Sequence, residues 1–87
     1  MYTVLVSRTF QRQFNVLNNN LQLRIKSALK ELEKDPYEPR PGADIKSIKD
    51  TKPQKYRIRV GDYRIIYRIE STIVKVIEVF KRGRGYR

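Results

Sequence analysis

The stretch Tyr56-Arg57-Ile58-Arg59-Val60-Gly61-Asp62-Tyr63-Arg64-Ile65-Ile66-Tyr67 restricts the fold more than any other part of the chain. Residue types alternate on either side of Gly61-Asp62, a turn pair of the kind that closes a β-hairpin. With Gly61 and Asp62 as the loop, Val60 lies opposite Tyr63, Ile58 opposite Ile65, and Tyr56 opposite Tyr67. Side chains alternate across a strand, so these residues share one apolar and aromatic face that a second layer must cover. The other face sets Arg59 directly across from Arg64, with Arg57 a step along. Like charges placed across a strand pair are destabilising. An anion between them reverses the balance, and the guanidinium fork fits phosphate. The alternative is a solvated face on which long side chains splay apart, and this segment alone leaves both readings open.

Charge narrows the partner. Twenty Lys and Arg stand against nine Asp and Glu in 87 residues, a net charge of +11. That field points to nucleic acid, an anionic membrane surface or an acidic protein. A chain of this length forms one domain, 1–87, and buries only roughly 60–65% of its unfolded surface, which leaves little for a deep pocket. Cysteine and histidine are both absent. Disulfide and thiolate chemistry are therefore out of reach, and so is the usual side-chain base near neutral pH. No metal or cofactor is expected. No apolar run approaches the ~18 residues of a membrane span, and Tyr2 to Val6 is too short for a signal-peptide core. The expected location is cytoplasmic, with no membrane contact.

Along the chain, Tyr2 to Val6 reads as a strand, and Ser7 as the N-cap of a helix whose Phe10, Phe14 and Leu17 share a face. Asn18-Asn19-Asn20 breaks that helix, with Asn20 expected to cap the next. Leu21, Ile25, Ala28, Leu29 and Leu32 then keep a 3.6-residue stripe until Lys34-Asp35-Pro36 stops it. So short a link makes the helices an antiparallel pair. Glu38 to Asp44 is a loop, Ile45 to Ile48 a short edge strand, and Ile73 to Phe80 a strand apolar on both faces and hence central. Its register does not follow from the pattern, because a two-residue turn and a longer one after Glu70 give opposite answers. The predicted architecture is α+β: an N-terminal strand, an antiparallel two-helix hairpin, and an antiparallel sheet of three to four strands, in two layers. The helices cover the apolar face of the hairpin, and Arg57, Arg59 and Arg64 take the wet side. Arg12, Arg24, Lys26 and Lys30 on the helices read as solvated or RNA-facing surface, and Glu78 as a salt-bridge partner.

The chain finishes as Lys81-Arg82-Gly83-Arg84-Gly85-Tyr86-Arg87. A basic terminus is often a disordered extension. Here Phe80 runs straight into Lys81 and Arg82, and Tyr86 stands among arginines, a combination that can stack on a base while the cations hold the backbone.

This order of elements, with Tyr-Arg-x-Arg-Val-Gly-Asp-Tyr-Arg-x-x-Tyr at 56–67 and Lys-Arg-x-Arg-x-Tyr at 81–86, resembles the RelE-type toxins of the RelE/ParE toxin–antitoxin superfamily. The resemblance implies the two-layer, microbial-ribonuclease-like toxin fold. For function it implies an mRNA interferase, a ribosome-dependent endoribonuclease that cuts message in the ribosomal A site. In that reaction a ribose 2′-hydroxyl attacks the adjacent phosphate, the 5′-oxygen leaves and a cyclic phosphate remains. By motif, Arg64, Arg82 and Tyr86 take the catalytic positions. Arg57, Arg59, Lys55, Lys81 and Arg84 take RNA-binding ones, with arginine at 57 and 59 where lysines stand in the best-known relative. The implied partners are messenger RNA, small-subunit ribosomal RNA and an acidic RelB-like antitoxin. Two other readings remain, a ParE-type poison of DNA gyrase and a non-catalytic nucleic-acid-binding module.

Overall fold

The structure, a computed structural model, describes residues 1–83. Seven elements follow one another: β1 (Thr3–Val6), α1 (Arg8–Asn15), α2 (Asn19–Lys34), β2 (Asp44–Ile48), β3 (Lys55–Val60), β4 (Tyr63–Glu70) and β5 (Ile73–Lys81). The strands form one sheet in the order β1-β5-β4-β3-β2. β2 to β5 are the antiparallel sheet the sequence predicts, at four strands, and the N-terminal strand adds a fifth at its edge. β1 joins the edge parallel to β5, pairing Thr3 with Ile73 through Val6 with Val76. The two helices carry the chain from β1 at one edge to β2 at the other, and the antiparallel strands that follow bring it back to β5 beside β1.

Ser7 caps α1 by accepting from the Phe10 amide at 3.0 Å, and its hydroxyl donates to the Ile77 carbonyl at 2.6 Å. One side chain thus starts the helix and pins it to β5. α2 is capped by Asn18, not Asn20: the Asn18 Oδ1 accepts from the Leu21 amide at 2.9 Å. Starting there brings Leu21 into the first turn, so Leu21, Ile25, Ala28 and Leu32 are all buried. Gln22 Nε2 donates to the Phe14 carbonyl at 2.9 Å, which ties α2 to the open end of α1. Beyond α2, Asp35 Oδ1 accepts from the amides of Tyr37 and Glu38. Arg40 gathers the turn further, donating to the carbonyls of Glu31, Asp35 and Glu38.

The hairpin register is as the sequence predicts, with Val60 opposite Tyr63, Ile58 opposite Ile65 and Tyr56 opposite Tyr67. Ile58, Val60, Ile65 and Tyr67 are buried with Phe10, Ile25 and Leu32, and Tyr56 and Tyr63 pack against that core. The core therefore lies between the helices and one face of the sheet.

The ambiguity over β5 has a structural answer. Two-residue turn geometry at Ser71-Thr72 pairs Glu70 with Ile73 and Tyr67 with Val76. A β-bulge between Ile66 and Tyr67 then shifts the ladder, so that Ile65 faces Val79 and Ile66 faces Glu78. Without the extra residue, Glu78 would stand opposite Ile65 on the core face. The bulge keeps Val74, Val76 and Val79 buried and moves the carboxylate to the other side.

Candidate active site

The face of the sheet away from the helices is built in rows across the strands. Asp44, Arg59, Arg64 and Phe80 make one row, from β2 to β5. Lys46, Arg57, Ile66 and Glu78 make the next, and Lys55 and Arg68 belong to a third beside Lys75. Ile66 is only 2% exposed although it sits on this wet face. Its row neighbour Arg57 is one of the long stems that can cover apolar surface while the charged head stays wet.

Within this grid the guanidinium groups are unequally engaged. Arg57 Nη1 donates to the Asp44 carbonyl at 3.0 Å and reaches its Oδ1 at 3.3 Å. Arg59 Nε lies 3.7 Å from Asp44 Oδ2, an ion-pair contact without a hydrogen bond. The Nε atoms of Arg59 and Arg64 are both buried and have no hydrogen-bond partner among the described residues. Buried polar groups are almost always satisfied, so two orphaned donors on directly opposed arginines are exceptional. The fold thus holds two cations face to face and, among the described residues, one stands beside a single carboxylate and the other pairs with none.

Arg82 joins this corner through its backbone. Its amide donates to the Asp62 carbonyl at 2.6 Å, which fixes the first residues of the tail to the tip of the hairpin. Lys81 does not join the arginine face. It pairs with Tyr63, so its register position belongs to the helix side of the sheet. Lys55 shares the arginine face but stands opposite Arg68, away from the Arg59–Arg64 row. Arg84 and Tyr86 lie outside the described residues.

Three residues gain a place that sequence reasoning did not assign. Asp44, read as the end of a loop, opens β2 and is the carboxylate for both Arg57 and Arg59. Glu78 makes no ion pair among the described residues, contrary to its expected role as a salt-bridge partner. Asp44 and Glu70, the other carboxylates on this face, are taken by arginines and by Lys75. Arg24, read as solvated or RNA-facing surface, leans on the hairpin turn, its nitrogens 2.9 and 3.3 Å from where a Cβ would stand on Gly61. Gly61 has φ +57°, and its missing side chain leaves Arg24 that room. Among the described residues no group of three or more Asp, Glu, His or Cys is placed to hold a metal ion.

Comparisons agree with this architecture. The toxin–antitoxin structure of archaeal RelE–RelB from Pyrococcus horikoshii OT3 matches with a TM-score of 0.81 at 28% identity, over 97% of this chain and 98% of that one. The RelB–RelE complex from Methanococcus jannaschii matches with a TM-score of 0.74 at 27% identity, over 88% of each chain. Isolated RelE from E. coli shares the fold, with a TM-score of 0.78 at 20% identity over 98% of this chain and 88% of that one. No curated protein sequence matches. The family model for the ParE toxin of type II toxin–antitoxin systems matches residues 4–86. With that match spanning nearly the whole chain and the fold of RelE around it, the chain belongs to the ParE toxin family and is a RelE-type toxin of the RelE/ParE superfamily.

Proposed function

We propose that this toxin is a ribosome-dependent mRNA endoribonuclease that cuts message in the ribosomal A site and so inhibits translation. The observation that carries the reading is the Arg59–Arg64 pair, directly opposed and with both Nε donors buried and unsatisfied. RNA backbone crossing this pair would take up those donors, the scissile phosphoryl group at Arg64 and the flanking phosphate at Arg59. The scissile group gains negative charge as the ribose 2′-oxygen bonds to phosphorus and the bond to the 5′-oxygen breaks, leaving a 2′,3′-cyclic phosphate and a 5′-oxygen that takes a proton from water to end as a hydroxyl. Donors fixed where charge develops are often the largest single contribution to catalysis. Arg64 and Arg82 act on the scissile phosphate, while Arg57 and Arg59 hold the flanking backbone.

Proton transfer is the weaker half of the site. Arginine stays protonated, so the 2′-hydroxyl proton goes to another group. Tyr86, at the family's position, and Glu78, which makes no ion pair among the described residues, are two candidate acceptors. Tyr86→Phe and Glu78→Gln distinguish them, since losing the acceptor costs about 10²–10⁴-fold in rate. A site strong in phosphate binding and weak in proton transfer needs its substrate presented in line. The ribosome supplies that orientation and small-subunit RNA the docking surface.

The test is cleavage mapped on translating ribosomes. Discrete cuts with cyclic-phosphate ends, absent with Arg64→Ala, are the expected result. Arrest without cuts would instead indicate a non-catalytic RNA-binding module. The family model carries the ParE name, which favours a second reading, a poison of DNA gyrase. Linear plasmid accumulating with gyrase, and intact message, would establish that one.

The relatives from Pyrococcus horikoshii and Methanococcus jannaschii are seen bound to RelB. For this toxin, with its charge of +11, the corresponding partner is an acidic RelB-like antitoxin that covers the arginine face in the cytoplasm. Its affinity is expected to fall as salt rises, because screening shortens the Debye length from about 10 Å at 0.1 M to 3 Å at 1 M. Titration calorimetry across that range checks it, and an affinity indifferent to salt would make the contact mainly apolar.

A further inference from the structure

A cleft of about 440 Å³ opens between α2 and the tip of the β3–β4 hairpin and shares Arg59 and Asp44 with the arginine face. Its lining includes Arg24 and Ser27 of α2, Arg40, and Gly61 of the turn. Three arginines thus surround a space with one carboxylate, and Asp44 is already engaged by Arg57 and Arg59. Arg40 is a structural cation, its Nη atoms spent on three carbonyls and Glu31 Oε1. Arg24 is different. It makes no hydrogen bond or ion pair among the described residues, and its guanidinium is set against the glycine of the turn.

Arg59 belongs to both places: it lines the cleft and stands opposite Arg64 in the ladder. We infer that the cleft binds a second phosphate of the same RNA strand, held by Arg24 and Arg59 while Arg64 faces the scissile one. This inference rests on the nuclease reading and extends it from one phosphate to a track around the hairpin tip. Continuity favours a nucleic acid over a lone carboxylate. An anion bound at the Arg59–Arg64 pair belongs to a chain whose next charges are at a fixed covalent spacing, and the cleft lies where that chain leaves the sheet. Gly61 is part of the device, because a Cβ there would meet Arg24 at 2.9 Å and push it aside.

Affinity for a long single-stranded RNA, methylated at every 2′-oxygen so that it cannot be cut, is measured by anisotropy over a range of salt. Each phosphate contact contributes about 0.7 to the slope of log K against log salt for a single strand. Arg24→Ala is expected to lower that slope by about 0.7, Arg24→Lys to restore most of it, and Arg12→Ala, the same charge change on exposed α1, to leave it in place. Equal thermal midpoints for the variants exclude unfolding as the cause. An unchanged slope for Arg24→Ala would overturn the inference, as would an equal drop with Arg12→Ala, which means a diffuse field. Loss of binding only to an acidic protein partner would overturn it too and make the cleft a protein site. The nuclease reading fails separately, if Arg64→Ala still cuts message on the ribosome.

Discussion

Arg64→Ala is expected to lower message cleavage by about 10²–10³-fold while changing RNA affinity far less, the loss typical of removing one donor from a developing oxyanion. Arg64 stands in the middle of the sheet, opposite Arg59 on one side and Phe80 on the other, so its position is fixed by two ladders. Its buried Nε has no partner among the described residues, so its replacement orphans no group among them. The expected signature is a fall in kcat with KM nearly unchanged, because the interaction strengthens only as charge builds on the phosphoryl oxygens. Single-turnover cleavage on programmed ribosomes reads the two constants apart. Equal losses in binding and rate would make Arg64 an anchor for the backbone.

The largest effect on stability is expected at Tyr67. Its ring is fully buried, stacked on Tyr56 with centroids 5.7 Å apart, and its hydroxyl donates to the Pro36 carbonyl at 2.7 Å. The residue therefore joins the middle of the sheet to the loop that ends α2. Tyr67→Ala is expected to cost about 3–5 kcal/mol, as for other large aromatic truncations. Tyr67→Phe keeps the ring but leaves the Pro36 carbonyl without its donor, at about 1–3 kcal/mol. Burial, and then the neighbouring Tyr56, pushes the Tyr67 phenol well above its ordinary value. The unfolded chain releases that proton near pH ~10, whereas the folded one keeps it. The unfolded state then binds fewer protons, so this contribution is whole below about pH 10 and declines as pH rises beyond it. Tyr37, raised by burial and by Tyr2 and Tyr56, acts with the same sign. Denaturant melts at neutral and alkaline pH check both points: Tyr67→Phe is expected to be less stable at pH 7 and to lose less on going alkaline.

The hairpin and its arginine face were legible in the sequence because Gly61-Asp62 fixes the register and strict alternation fixes the faces. The bulge was not, since nothing local to Ile77 marks it. It is needed only because Glu78 must avoid the core that Ile65 faces, a constraint that arises when β4 and β5 meet. The parallel seat of β1 was equally hidden, as nothing in a four-residue strand marks which distant strand it joins or in which direction. Three consecutive asparagines made the cap of α2 ambiguous, and the burial of Leu21 decides for Asn18. In the site, Arg57, Arg59 and Arg64 were found by alternation. Asp44 needed the β2–β3 register, and Arg24 needed the packing of α2 over the turn.

Whether arginines from the sheet and from the tail meet at one phosphate is tested most directly by a double-mutant cycle on cleavage rate. Arg64→Ala, Arg82→Ala and the pair together are compared with the unaltered toxin. If each single change costs about 10²-fold, independent action predicts about 10⁴-fold for the pair. Two donors on one phosphoryl group are instead expected to couple, so that the pair loses well under that product, by an interaction of about 0.5–3 kcal/mol. Losses that simply multiply would place Arg64 and Arg82 at separate tasks and contradict a shared anion site.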